Sequence, residues 1–146
     1  MLKAYGLELI PVAIGDPIPA SYWGSREAGI AGRCLFARDD TPAHSLLHEL
    51  SHYVCMTADR RAALWRDAGG DDEEECAVCY LQVLLADRLP GLGRERVLSD
   101  LDAWGYSFRE GSAAAWFDGD GRGARRWLAA HALVDDRGLP TLRLRR

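Results

Sequence analysis

The 146-residue chain contains no stretch of about 18 apolar residues, so no membrane-spanning helix is expected. Its start lacks a basic leader, and Glu8 interrupts the apolar run, so a signal peptide is not expected and a cytoplasmic location is. Repeats, linkers and low-complexity tracts are missing, which leads to an expectation of one domain over residues 1–146. Concentrated positive charge is missing too. The net charge is −4 and the pI is near 5.5, whereas phosphate binding needs a concentrated basic surface, so no nucleic-acid partner is expected. The basic end, Leu142-Arg143-Leu144-Arg145-Arg146, is too short to change this and reads as a solvated tail or edge strand. Cysteine is sparse. Cys34, Cys55, Cys76 and Cys79 are expected to stay reduced, since a chain of this length can bury a core without disulfides.

What is present reads as an α+β layout, with N-terminal antiparallel strands first and helices after. Residues 2–14 alternate imperfectly with a period of two, and residues 30–38 read as a second strand. Thr41 is a good N-cap and Pro42 suits the first helical position, so a helix is expected from there to about Met56. A second helical stretch covers Ala58 to Asp67. A third opens at Asp71-Asp72-Glu73-Glu74-Glu75, where acids favour the helix dipole, and runs to about Arg88. Shorter helices are expected at Arg94 to Trp104 and over 112–134, the latter broken at Asp118-Gly119-Asp120-Gly121. A short strand is expected at Leu139 to Leu144.

The sharpest pattern is His48-Glu49-Leu50-Ser51-His52. Histidines at i and i+4 lie about 40° apart on one helix face, so both imidazoles reach one zinc ion at about 2 Å. Glu49 sits to the side, placed to take a proton from zinc-activated water without binding the metal. With four histidines and eight glutamates in the chain, this pattern arises by accident roughly once in 200 such sequences, which favours a functional origin. Ala43, Leu46, Leu50, Tyr53 and Val54 gather on the opposite arc, so one side packs and the other faces a cleft. A third ligand is needed, and the acidic cluster at 71–75 supplies candidates. Ala77, Val78, Leu81 and Leu85 share the side of Glu74, which makes Glu74 the choice; Glu73 and Glu75 read as solvated residues and stay open as alternative ligands.

These residues resemble the gluzincin metallopeptidases, and among them the ImmA/IrrE-like family. That family carries Ala-His-Glu-Leu-Gly-His on one helix and Glu-x-x-Ala-Asn/Asp-x-Phe-Ala-x-x-Leu-Leu on a later one. Here the counterparts are Leu47-His48-Glu49-Leu50-Ser51-His52 and the run from Glu74 to Leu85, and the match covers roughly residues 30–87. The resemblance implies a small zincin-like domain, Zn²⁺ as cofactor, His48, His52 and Glu74 as ligands, and Glu49 as general base. Val78 departs from the family's Asn or Asp, which removes a hydrogen bond that would orient a ligand histidine. Ser51 replaces the usual Gly. Residues 88–146 lie outside the match and read as a helical extension.

The expected activity is zinc-dependent hydrolysis of a peptide bond, with a peptide or protein as substrate. The alternatives are a non-catalytic zinc-binding regulatory or interaction module, and a zinc hydrolase acting on another amide. A peptide can add along an edge strand near residues 30–38. His44, Tyr53, Tyr80 and an arginine of the C-terminal half are candidate oxyanion donors. Cys76-x-x-Cys79 lies inside a helix, where buried free thiols are the commoner case. Asp118 to Gly123 lacks the twelfth-position acid of a calcium loop and reads as a polar turn. Trp104, Tyr106, Trp116, Phe117 and Trp127 read as packing aromatics, and His131 as an ordinary helix residue.

Overall fold

The computed structural model describes residues 1–105 and 110–146, which leaves Tyr106 outside the described residues. Three strands precede six α-helices in a small α+β arrangement. The sheet holds β1 (Glu8–Pro11), β2 (Gly29–Ala31) and β3 (Cys34–Ala37), in the order β1-β3-β2. β2 and β3 form an antiparallel hairpin that turns at Gly32, whose φ of +54° favours a residue without Cβ. β1 runs parallel to β3, so the sheet is mixed rather than antiparallel throughout. The connection over residues 12–28 leaves and re-enters the sheet at the same end, and β2 then carries the chain back to the end from which β1 started.

Two expected strands are therefore shorter than their patterns suggested. Leu2–Tyr5 form a 3-10 turn, closed by Gly6 at φ 74°, and the strand begins only at Glu8. Residues 30–38 hold parts of two strands. Leu35 faces Leu9 on one side and Ile30 on the other, so β3 is paired along both edges and offers no free edge for an added peptide. Residues 139–144 form no strand. One isolated bridge joins Val134 and Pro140.

The helices are α1 (Ala43–Cys55), α2 (Ala58–Ala63), α3 (Asp72–Ala86), α4 (Gly93–Trp104), α5 (Ala113–Asp118) and α6 (Arg122–Ala130). Pro42 takes the N-cap position of α1, while Thr41 Oγ1 accepts the Arg38 N–H at 3.0 Å instead of capping. Asp71 caps α3 by accepting the Glu74 N–H at 2.9 Å. The turn between α5 and α6 falls at residues 119–121, as the Asp-Gly pattern suggested. α3 is the central helix and packs against α1, α4 and α6. Ala77, Val78, Leu81, Val83, Leu85 and Ala86 on it are all fully buried. Each such leucine contributes about 2 kcal/mol by leaving water. Among the described residues no helix is long and apolar enough to cross a membrane.

Trp116 and Phe117 join this core, and Tyr80 stacks on Phe117 with ring centroids 4.3 Å apart. Trp104 does not join it and remains 36% exposed. The C-terminal basic segment is neither a free tail nor a strand. The Arg145 backbone N–H donates to the Val54 carbonyl, and its guanidinium lies 4.8 Å from the centre of the Trp127 ring.

Candidate metal centre

α1 and α3 pack side by side, and that packing builds the site. His48 and His52 occupy one face of α1, with their Nε2 atoms 3.0 Å apart. Glu75, in the first turn of α3, brings Oε2 to 3.7 Å from His52 Nε2. One donor atom from each of His48, His52 and Glu75 lies within 4.8 Å of the other two, and these three residues can hold a metal ion. Two imidazoles and a carboxylate suit a divalent ion such as zinc.

The donors are held by specific neighbours. His48 Nδ1 lies 2.7 Å from Gln82 Oε1. An amide oxygen only accepts, so the proton sits on Nδ1 and the Nε2 lone pair is left to face His52 and Glu75. Gln82 is fully buried on α3, two turns beyond Glu75. It supplies the orienting hydrogen bond that Val78 cannot, and the motif comparison missed it. Glu75, Cys79 and Gln82 fall at i, i+4 and i+7 on one face of α3, and Gln82 on that line within the apolar run is the signal in the sequence. Glu75 Oε1 accepts the Gly70 N–H at 2.6 Å, which leaves Oε2 turned toward the histidines. Gly70 must be glycine here, because a Cβ would come within 2.6 Å of the Glu74 carboxylate.

Glu74 is placed elsewhere. Its carboxylate is 4% exposed and pairs with Arg60 Nη1 at 2.6 Å and Arg145 Nη1 at 2.8 Å. Glu74 does lie on a buried face, as its apolar neighbours along the helix imply. That face, however, meets the C-terminal segment and the Arg60 side chain, whereas the histidine helix lies about 100° further round, where Glu75 points. Glu73 is exposed.

His48, His52, Glu49 and Glu75 all line one cleft of about 560 Å³, with His44, Cys79, Tyr22, Trp23 and Trp104 around them. Burial pushes the His48 imidazole below its ordinary range, and burial with His48 alongside pushes His52 well below it. Both rings are thus held neutral, the form a metal requires. Burial, with Glu27 and Glu75 nearby, pushes Glu49 up to about 8, and burial raises Glu75 as well. Two acids beside two neutral imidazoles leave a pocket short of positive charge. A bound cation would lower both carboxylates again.

Of the candidate oxyanion donors, His44 lines the cleft, its ring edge-on to Trp104 with centroids 5.2 Å apart. Tyr53 and Tyr80 are core residues that do not line it. Arg66 is the arginine that does, and it precedes the C-terminal half. Cys55 is buried and Cys76 exposed, and burial raises both thiols. Comparison with protein-family models, curated proteins and solved structures gave no match for this chain.

Proposed function

We propose that this chain is a zinc-dependent peptidase of zincin-like build, with His48, His52 and Glu75 as the metal ligands and Glu49 as the general base. The observation that carries this reading is the convergence of His48 Nε2, His52 Nε2 and a Glu75 oxygen on the wall of the cleft that Glu49 lines. A divalent ion there would act as a Lewis acid, polarising a substrate carbonyl and bringing the pKa of water toward about 7. Gln82 fixes the His48 tautomer and ring orientation. Glu49 follows His48 directly in the chain and is not among the three clustered donors. It accepts a proton from the attacking water and returns it to the leaving amine. A bound cation would lower the Glu49 carboxyl from its raised metal-free value, toward the ionised form that a base needs. His44, which lines the cleft, is the candidate for donating to the developing oxyanion.

Glu49→Gln tests the reading. The variant should keep its fold and its zinc stoichiometry by elemental analysis, while hydrolysis of a mixed peptide library, read by mass spectrometry, falls by at least about a hundredfold. Hydrolysis that persists at the wild-type rate in zinc-loaded Glu49→Gln would sink the mechanism. Absence of zinc from the wild-type protein, at stoichiometric loading, would sink the site.

A further inference from the structure

We propose that the cleft selects substrates carrying an ammonium group, and that Glu27, steadied by Trp104, is the residue that selects them. The reaction part of this rests on the peptidase reading; the binding part does not. Glu27 stands just before β2 and lines the cleft. Its Oε1 accepts the Trp104 indole N–H at 3.2 Å, and this is its one side-chain hydrogen bond among the described residues. Among those residues it has no salt bridge. The contrast with Glu74, held by two arginines, is direct. A half-buried carboxylate has lost part of its hydration, and a cation is what restores the lost stabilisation.

The rest of the cleft agrees with a cationic occupant. Glu27, Glu49, Asp67 and Glu75 line it against one arginine, Arg66, whose Nη2 donates to the Tyr22 carbonyl at 3.2 Å. The walls are aromatic. Tyr22 is 53% exposed and Trp23 81%, their rings edge-to-face at 5.2 Å, and Trp104 completes the rim. Aromatic faces attract cations. The Arg26 guanidinium already lies 5.7 Å from the centre of the Trp104 ring. The segment that carries Tyr22 and Trp23 is clamped against β2, because a Cβ on Gly29 would sit 2.0 Å from the Pro19 carbonyl oxygen. A neutral apolar group in this place would cover Glu27 without pairing it, and an anion would be repelled. An alkylammonium meets both the rings and the carboxylate. It can come from a free α-amino group or from a lysine side chain.

The test uses the full-length zinc-loaded Glu49→Gln protein and calorimetric titration with three hexapeptides of otherwise equal composition. One has a free amino terminus and no lysine, one is acetylated without lysine, and one is acetylated with a single lysine. At least one ammonium-bearing peptide should bind roughly tenfold tighter than the acetylated lysine-free one. Which of them does so identifies the source of the ammonium. Adding Glu27→Gln should bring the advantage below about threefold, with zinc content and melting temperature unchanged. Equal binding of all three peptides, or a preference that survives Glu27→Gln, overturns the proposal. Ammonium-selective binding without hydrolysis by the wild-type zinc protein would leave this proposal standing and remove the peptidase reading. Hydrolysis indifferent to the ammonium would do the reverse.

Discussion

Glu74 and Glu75 are consecutive residues on α3, about 100° apart around its axis, and they enter regions of opposite electrical character. Around Glu74 the field is cationic. Arg60 and Arg145 each bond one carboxylate oxygen; Arg60 also donates to the Ala68 and Gly69 carbonyls, and Arg145 to that of Cys55. The donors and acceptors there are matched, so the cluster works as a clamp that ties α2, α3 and the C-terminal segment together. Around Glu75 the neighbours are two imidazoles held neutral and the carboxyl of Glu49, held up near 8. That region is short by one cation. The Glu74 carboxylate, bonded to two arginines, is completed as structure, whereas the half-exposed Glu75 carboxylate forms no ion pair with an arginine among the described residues, feels Arg60 only through its field, and faces two imidazoles.

The widest separation between the two regions should come from exchanging their roles in turn. Glu75→Ala should weaken zinc binding by roughly a hundredfold or more, since it removes one of the three proposed ligands. Glu74→Ala should leave zinc affinity within about threefold in the folded protein. Competition titration with a chelator of known affinity reads both, and equal losses would erase the distinction. In stability the order should reverse. Glu74→Ala leaves two arginines facing a gap at a site 4% exposed, and should cost about 3 kcal/mol in urea unfolding of the zinc-free protein, against less than about 1 kcal/mol for Glu75→Ala.

Gln82→Leu sharpens the metal side alone. It removes a buried amide whose Nε2 has no hydrogen bond among the described residues, and that gain offsets the lost acceptor of the His48 N–H, so stability should change by no more than about 1 kcal/mol. It also removes the acceptor that orients His48, so zinc affinity should fall about tenfold to a hundredfold, with Gln82→Glu restoring much of it. A loss of stability with unchanged affinity would make Gln82 a packing residue only.

The smallest effect is a pH slope. The Glu49 carboxyl is raised in the folded state, so the fold binds more protons than the unfolded chain between its ordinary range and about 8. The stability it contributes is complete at low pH and is lost as pH rises through about 8. His48 and His52 have the opposite sign, because their lowered values cost stability only as pH falls below the ordinary imidazole range near 6.5. Between pH 6.5 and 8 the two imidazoles contribute little, and the raised carboxyls, Glu49 foremost with Glu75 in the same direction, set the slope. The metal-free protein should lose about 1.5 kcal/mol across that interval, and Glu49→Gln or added zinc should flatten the slope in thermal melts. A slope unchanged by Glu49→Gln would break this account.

What the amino-acid order determined unaided was local. Histidines four apart on a helix share a face whatever surrounds them, so His48 and His52 were legible, as was Glu49 beside them. The N-terminus of α3 was written in Asp71 and its acids, and the apolar run from Ala77 to Leu85 marked that helix for burial. Tertiary structure decided which neighbour each buried face would meet. Helical periodicity gives the angle of Glu74 relative to Leu81, but not whether that angle looks toward α1 or toward Arg145, seventy-one residues away. The same holds for β3, whose central place depends on β1 returning in parallel, and for Gln82, whose partner is thirty-four residues distant. Spacing within an element follows from the covalent chain, whereas pairing between elements follows from how the whole core closes.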